Sequence, residues 1–197
     1  MANGLVVLLL AAFPLMGSPG PATLSTAAIG SAFGIQKGVK YLIGIIAGTT
    51  TVLGLIATGV TGLILTQPGL VNAITVLAIC YILYLAYRIA TAPALSIADK
   101  TGKAPSFLSG YLLAVANPKA FAAIGAVYSG SVLIPGDVVL DAAFKLIALT
   151  LVIITVNSAW LVFGSALSSV LSDPKKGRIA NVLFALLLIG SVVLAVI

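Results

Sequence analysis

Residues 17–21 read Gly17-Ser18-Pro19-Gly20-Pro21, and residues 117–119 read Asn117-Pro118-Lys119, each inside an apolar run long enough to span a bilayer. Proline within a helix removes a backbone hydrogen bond and clashes with the preceding turn, so each motif predicts a broken helix. In lipid a broken helix is tolerated only where protein or a water-filled cavity surrounds the break. The two interruptions fall at matching places in the two halves of the chain. Such a pair is the sequence pattern of a transporter binding site.

The composition agrees with a membrane setting. Of 197 residues, 61% are hydrophobic and 7% charged, and the mean hydropathy is +1.25. A soluble domain carries about 25% charged residues. The chain therefore reads as an integral membrane protein, with residues 1–197 as a single transmembrane domain. It has no His and no Glu, which excludes the usual zinc and di-iron ligand sets and any Ser-His-Asp or Cys-His constellation. No cofactor is expected. Cys80 is the one cysteine, so neither an internal disulfide nor a two-thiol relay is available. The first residues carry no basic segment, and the apolar run resumes after the Pro/Gly cluster. Residues 1–33 thus read as a retained span, not a cleaved signal peptide.

Six apolar runs of transmembrane length follow one another: roughly Leu5–Phe33, Tyr41–Leu65, Val71–Ala90, Phe107–Ser131, Val139–Leu167 and Ile179–Ile197. Turn chemistry separates them at Gln67-Pro68-Gly69, Asp99-Lys100-Thr101-Gly102, Pro135-Gly136-Asp137 and Ser172-Asp173-Pro174. Lys37, Lys40, Arg88, Lys100, Lys103, Lys175, Lys176 and Arg178 all fall on one side, eight of the ten basic residues. The other side holds Lys145, near Asp137 and Asp141. The positive-inside rule makes the basic side cytoplasmic and sends both termini outward, to the periplasm. This placement accounts for the net charge of +6 as topology, and no nucleic-acid partner is expected. Three spans per half invert the second half relative to the first. The expected fold is all-α: six transmembrane helices as a 3+3 inverted repeat, about 1–95 and 104–197, with helices 1 and 4 broken.

Ser and Asn are strong N-caps, and proline is favoured at the first helical position. Ser18-Pro19 and Asn117-Pro118 each read as the start of a half-helix inside the membrane. A helix N-terminus presents unpaired N–H groups and a positive dipole end, which attract carboxylates. Lys119 lies about a dozen residues into its span, roughly 18 Å along an ideal helix. A lysine at that depth is costly and usually functional; the plainer reading is a side chain that snorkels to the interface. Polar residues also fall inside spans two (Thr49, Thr50, Thr51) and five (Thr155, Asn157, Ser158), where they either face a cavity or bond between helices. The candidate substrate-binding residues are Ser18, Pro19, Gly20, Pro21, Asn117, Pro118, Lys119, Thr50 and Asn157, with Lys119 the proton-coupling candidate. Tyr81, Tyr84 and Tyr87 read as interfacial anchors. Small residues at four-residue spacing (Gly30, Gly34, Gly38; Gly44, Gly48; Gly54, Thr58, Gly62) let helices approach closely. They permit a homodimer without requiring one.

Taken together, Pro19-Gly20-Pro21, then Gly38, Gly44 and Gly48, then Asn117-Pro118-Lys119-Ala120, with Trp160 and a short last span bearing Gly190, resemble the LysE/RhtB family of bacterial amino-acid exporters. The resemblance covers nearly the whole chain. It implies a secondary transporter of the bacterial cytoplasmic (inner) membrane that exports amino acids or close derivatives by proton antiport. Its partners are then the amino acid, protons or another coupling ion, and the bilayer. Two other classes stay open from the residues alone. One is a channel or ion-only transporter; the more remote is an intramembrane hydrolase built on a Ser–Lys pair. The spans show no deep carboxylate for a cationic substrate side chain, which favours neutral or small polar amino acids.

Overall fold

A computed structural model describes residues 2–59, 66–91, 105–170 and 174–196. They form seven helices: α1 (Ala2–Gly17), α2 (Pro21–Ala57), α3 (Pro68–Ala90), α4 (Phe107–Val115), α5 (Pro118–Ser129), α6 (Val138–Val170) and α7 (Pro174–Val196). Asp99, Lys100, Thr101, Gly102, Lys103, Gly62, Ser172 and Asp173 lie outside the described residues.

Both proline motifs interrupt helices. Pro14 sits inside α1 without ending it; the break comes at Ser18–Gly20, and Pro21 opens α2 at a position that needs no N–H. Asn117 and Pro118 separate α4 from α5, whose axes differ by 60°. The connection expected between Phe33 and Tyr41 is not a loop. It shrinks to Gly34, whose φ of 75° and ψ of 173° are open only to glycine at low cost. Lys37 and Lys40 therefore lie on the helix that resumes after this kink.

Two helices, Pro21–Ala57 and Val138–Leu167, are long and apolar enough to cross a bilayer, and the bent α4–α5 pair makes a third if counted as one span. The 33 residues of α6 would measure roughly 50 Å, well beyond a hydrocarbon core of about 30 Å. Large apolar side chains cover the outside: Val138 and Leu10 are 84% and 71% exposed. The fold is thus all-α and suited to a membrane, with several crossings.

Helix α2 is the spine, packed along α6 and α4; α1 lies on α5 and α6, and α3 lies on α7. The α2–α6 crossing is backbone against backbone. A Cβ on Gly30 would strike the Leu161 carbonyl, and one on Gly164 would strike Ala27. Gly44 meets the Phe107 carbonyl of α4, and Gly110 meets Tyr41, in the same manner. Gly54, from the third small-residue series, has no such role: a Cβ there would meet nothing within 4 Å.

Two apolar clusters fill the interior. One joins Leu24, Tyr41, Ile45, Ile82, Leu85, Leu113 and Phe184; the other joins Leu8, Leu53, Ile124, Ile153 and Val156. Trp160 packs against both. The acidic residues near α6 are committed elsewhere. Asp137 accepts the N–H groups of Val139 (3.1 Å) and Leu140 (3.0 Å), which caps the helix. Asp141 accepts the Leu133 and Ile134 N–H groups and pairs with Lys145 at 2.7 Å.

Candidate functional site

At the second break Asn117 is the N-cap of α5, as the sequence predicts, and its side chain accepts the Lys119 N–H at 3.1 Å. The Ala120 N–H is taken by the Asn117 carbonyl at 3.0 Å. With proline at the first position, this helix start has no N–H to spare for a ligand. The anion-attracting end expected at α5 is closed by its own cap.

The first break is arranged differently. Ser18 does not cap the new half-helix; its hydroxyl donates back to the Leu15 carbonyl at 2.9 Å. The N-cap is Gly20, two residues on, and it offers no side-chain cap. The second proline sets this offset, because Pro21 and not Pro19 occupies the first helical position. Thr23 Oγ1 accepts the Gly20 N–H at 2.9 Å. The N–H groups of Ala22 and Thr23 have no partner among the described residues. This end keeps the open donors and the positive dipole.

Lys119 joins the two breaks. Its ammonium donates to the Ser18 carbonyl and to the Pro19 carbonyl at 3.0 Å. Those oxygens follow the C-terminal end of α1, where a cation is favoured. Two of its three N–H donors are engaged there, leaving one. Gly20 makes room for the arm. Its backbone is extended (φ −174°, ψ −179°), so any residue could adopt it, but a Cβ would lie 2.5 Å from Lys119 Cδ and 2.9 Å from Nζ. Trp160, from α6, completes the cap by donating its indole N–H to the Gly17 carbonyl at 3.0 Å. A tryptophan indole N–H usually finds an acceptor when it is buried.

A pocket opens at this junction. Gly20, Ala22, Thr23, Thr49, Asn117, Lys119, Ala123 and Asn157 line it, on a floor of Leu15, Met16, Ala120, Ile124, Ile153 and Val156. Its space for water centres is about 40 Å³, where one water needs roughly 10–15 Å³. Among the described residues no carboxylate lines it. Of the sequence candidates, Gly20, Asn117, Lys119 and Asn157 stand on its wall. Ser18 and Pro19 reach the site through the carbonyls that hold Lys119. Pro21 and Pro118 shape the helix starts. Thr50 does not line the pocket; its neighbour Thr49 does, one residue round the helix. The Thr50 hydroxyl is buried and unpartnered, whereas Thr49 and Thr51 bond back to the carbonyls of Ile45 and Ala47. Asn157 is 5% exposed. Its amide nitrogen donates to the Ile153 carbonyl at 2.8 Å, and its Oδ1 accepts nothing.

Interrupted helices around a small, mostly apolar pocket with a few polar groups on its wall have the architecture of a membrane transporter. The chain belongs to the LysE type translocator family, whose family model it matches over residues 13–197. No curated protein and no solved structure gives a match. Membership of a translocator family assigns the protein to transport and not to catalysis, and to a multi-pass location in the inner membrane. Nor do Ser18 and Lys119 form a nucleophile–base pair: the Ser18 hydroxyl faces the Leu15 carbonyl and Lys119 faces two carbonyls. Among the described residues no cluster of His, Cys, Asp or Glu could hold a metal ion.

Proposed function

We propose that the protein exports amino acids or close derivatives, with the substrate bound at the junction of the two broken helices and its carboxylate on the first turn of α2. The observation that carries this reading is the Lys119 bridge. The ammonium lies between the carbonyls that end α1, which hold it, and the positive N-terminal end of α2, which repels it. An anionic group entering the pocket is attracted to both the ammonium and the open Ala22 and Thr23 N–H groups. It would also compete with the Ser18 and Pro19 carbonyls for Lys119, so binding loosens the tie between α1 and α5.

That competition supplies a route to alternating access. Six crossings arranged as two inverted halves would rock about the junction, driven by proton antiport with Lys119 as the coupling candidate. The lack of a carboxylate on the pocket wall among the described residues supports neutral substrates, since Asp137 and Asp141 are occupied by α6 and its preceding loop. A cation channel is the weaker reading, because the one charge on the pocket wall is positive.

A panel of amino acids against the purified protein tests this. A ligand that binds the folded state raises its melting temperature, by about 2.7 kcal/mol of stabilisation at a hundredfold excess over Kd. Neutral amino acids with small side chains should raise the midpoint more than lysine or arginine. No shift with any member of the panel, alongside ionic current in planar bilayers without amino acid, would replace the exporter by a channel.

A further inference from the structure

The geometry points to Asn157 as the residue that reads the amino group of the substrate, making the pocket select α-amino acids over carboxylic acids of the same shape. This rests on the exporter reading and names which atom of the site separates substrate classes.

The starting observation is an orphan. Asn157 is 5% exposed, lines the pocket, and leaves its Oδ1 without a partner. Buried polar atoms are almost always satisfied, and leaving one bare costs about 1–3 kcal/mol. The orientation of the amide is fixed, because the atom facing the Ile153 carbonyl must be the donor nitrogen. The free atom is therefore an acceptor. Its natural partner is a donor brought by a ligand.

The other wall of the same pocket supplies the opposite chemistry. Lys119 has one N–H left after Ser18 and Pro19, and Ala22 and Thr23 have theirs open. These are donors for a carboxylate. A ligand that satisfies both walls needs an acceptor group and a donor group close together. The α-carboxylate and α-ammonium of an amino acid provide that pair on adjacent atoms. Thr49, also on the wall, has its proton committed to Ile45 at 2.8 Å, so its oxygen can accept from the same ammonium. A site that bonds a substrate N–H discriminates against an analogue lacking it, because the acceptor is then buried bare.

The test measures binding to the purified protein, by thermal shift, of L-alanine, L-valine or L-leucine, each beside its des-amino analogue: propanoate, 3-methylbutanoate or 4-methylpentanoate. The parent protein should bind the amino acid about ten- to a hundredfold more tightly than its analogue, the range set by one charge-assisted hydrogen bond. Asn157→Leu should remove most of that ratio by weakening the amino acid more than the analogue. Asn157→Asp keeps the acceptor and adds charge, so its ratio should equal or exceed that of the parent. It serves as the deciding variant should the leucine variant fail to fold. Equal weakening of acid and amino acid by Asn157→Leu, or a ratio near one in the parent or in Asn157→Asp, overturns the inference and leaves the exporter reading standing. Failure of the parent to bind any of the amino acids sinks that reading and this one together.

Discussion

Lys119 reached from sequence as a costly buried cation; in the fold it is also a structural clasp. Each of its bonds to Ser18 and Pro19 is charge-assisted and worth about 1.5–3 kcal/mol. Without them the Pro19 carbonyl would lose its donor among the described residues, and the Ser18 carbonyl would keep only the Thr23 hydroxyl at 3.3 Å. Removing the ammonium by Lys119→Ala should abolish amino-acid efflux from proteoliposomes and lower the melting temperature as well. Gly20→Ala separates the two roles. Alanine accepts the extended backbone of Gly20, yet its Cβ would lie 2.5 Å from Lys119 Cδ and push the flexible arm aside. Efflux should fall about tenfold or more, the effect of misplacing a group that positions substrate, with a small change in melting. Parent-like efflux by either variant would remove Lys119 from the mechanism. The residues legible in the sequence were those with unusual chemistry for their depth: the prolines, Asn117 and Lys119. Thr23 was not, because an ordinary threonine in a span bonds its own helix, and Thr49 was named only within its polar cluster, with Thr50 chosen as the candidate. Only the meeting of α1, α5 and α6 gives them a role.

At the level of elements, glycine positions that look alike in sequence do different work. Gly34 holds a positive φ at the kink within α2, so Gly34→Ala should destabilise by about 1–3 kcal/mol. Gly54 lies in ordinary helix with nothing near its missing Cβ. There Gly54→Ala should stabilise by up to about 1 kcal/mol through helix propensity. Thermal unfolding in detergent reads both, and the same sign for the two would contradict the kink. The sequence placed both helix breaks correctly because proline acts locally. It misplaced the cap of α2, from Ser18 to Gly20, because two prolines in succession offer two candidate starts and only packing chooses between them. It likewise left a loop at Gly34 where φ alone turns the chain, since a glycine's φ is invisible in a list of residues.

For the whole molecule, the composition and the spacing of apolar runs were enough to read an all-α membrane protein, and the two proline motifs, joined with Gly38, Gly44, Gly48, Trp160 and Gly190, carried the resemblance to its family. The expected six crossings in two inverted halves, with basic residues inside, remain the arrangement we propose around the pocket. What no sequence pattern carried is the asymmetry of the two breaks. Asn117 seals the start of α5, while Gly20 leaves the start of α2 open. In the mechanism we propose, two helix ends that look equivalent therefore divide the work, one carrying Lys119 and the other receiving the anion. Everything rests on the substrate occupying the space between them. Ala123 lines that space and takes no part in the bonds described. In a Cys80→Ser background, Ala123→Cys can be labelled with a small thiol reagent, and the rate followed with and without a transported neutral amino acid. Labelling should slow several-fold in its presence and recover when it is washed out. Labelling at an unchanged rate, in protein that still exports the amino acid, would place the substrate path elsewhere.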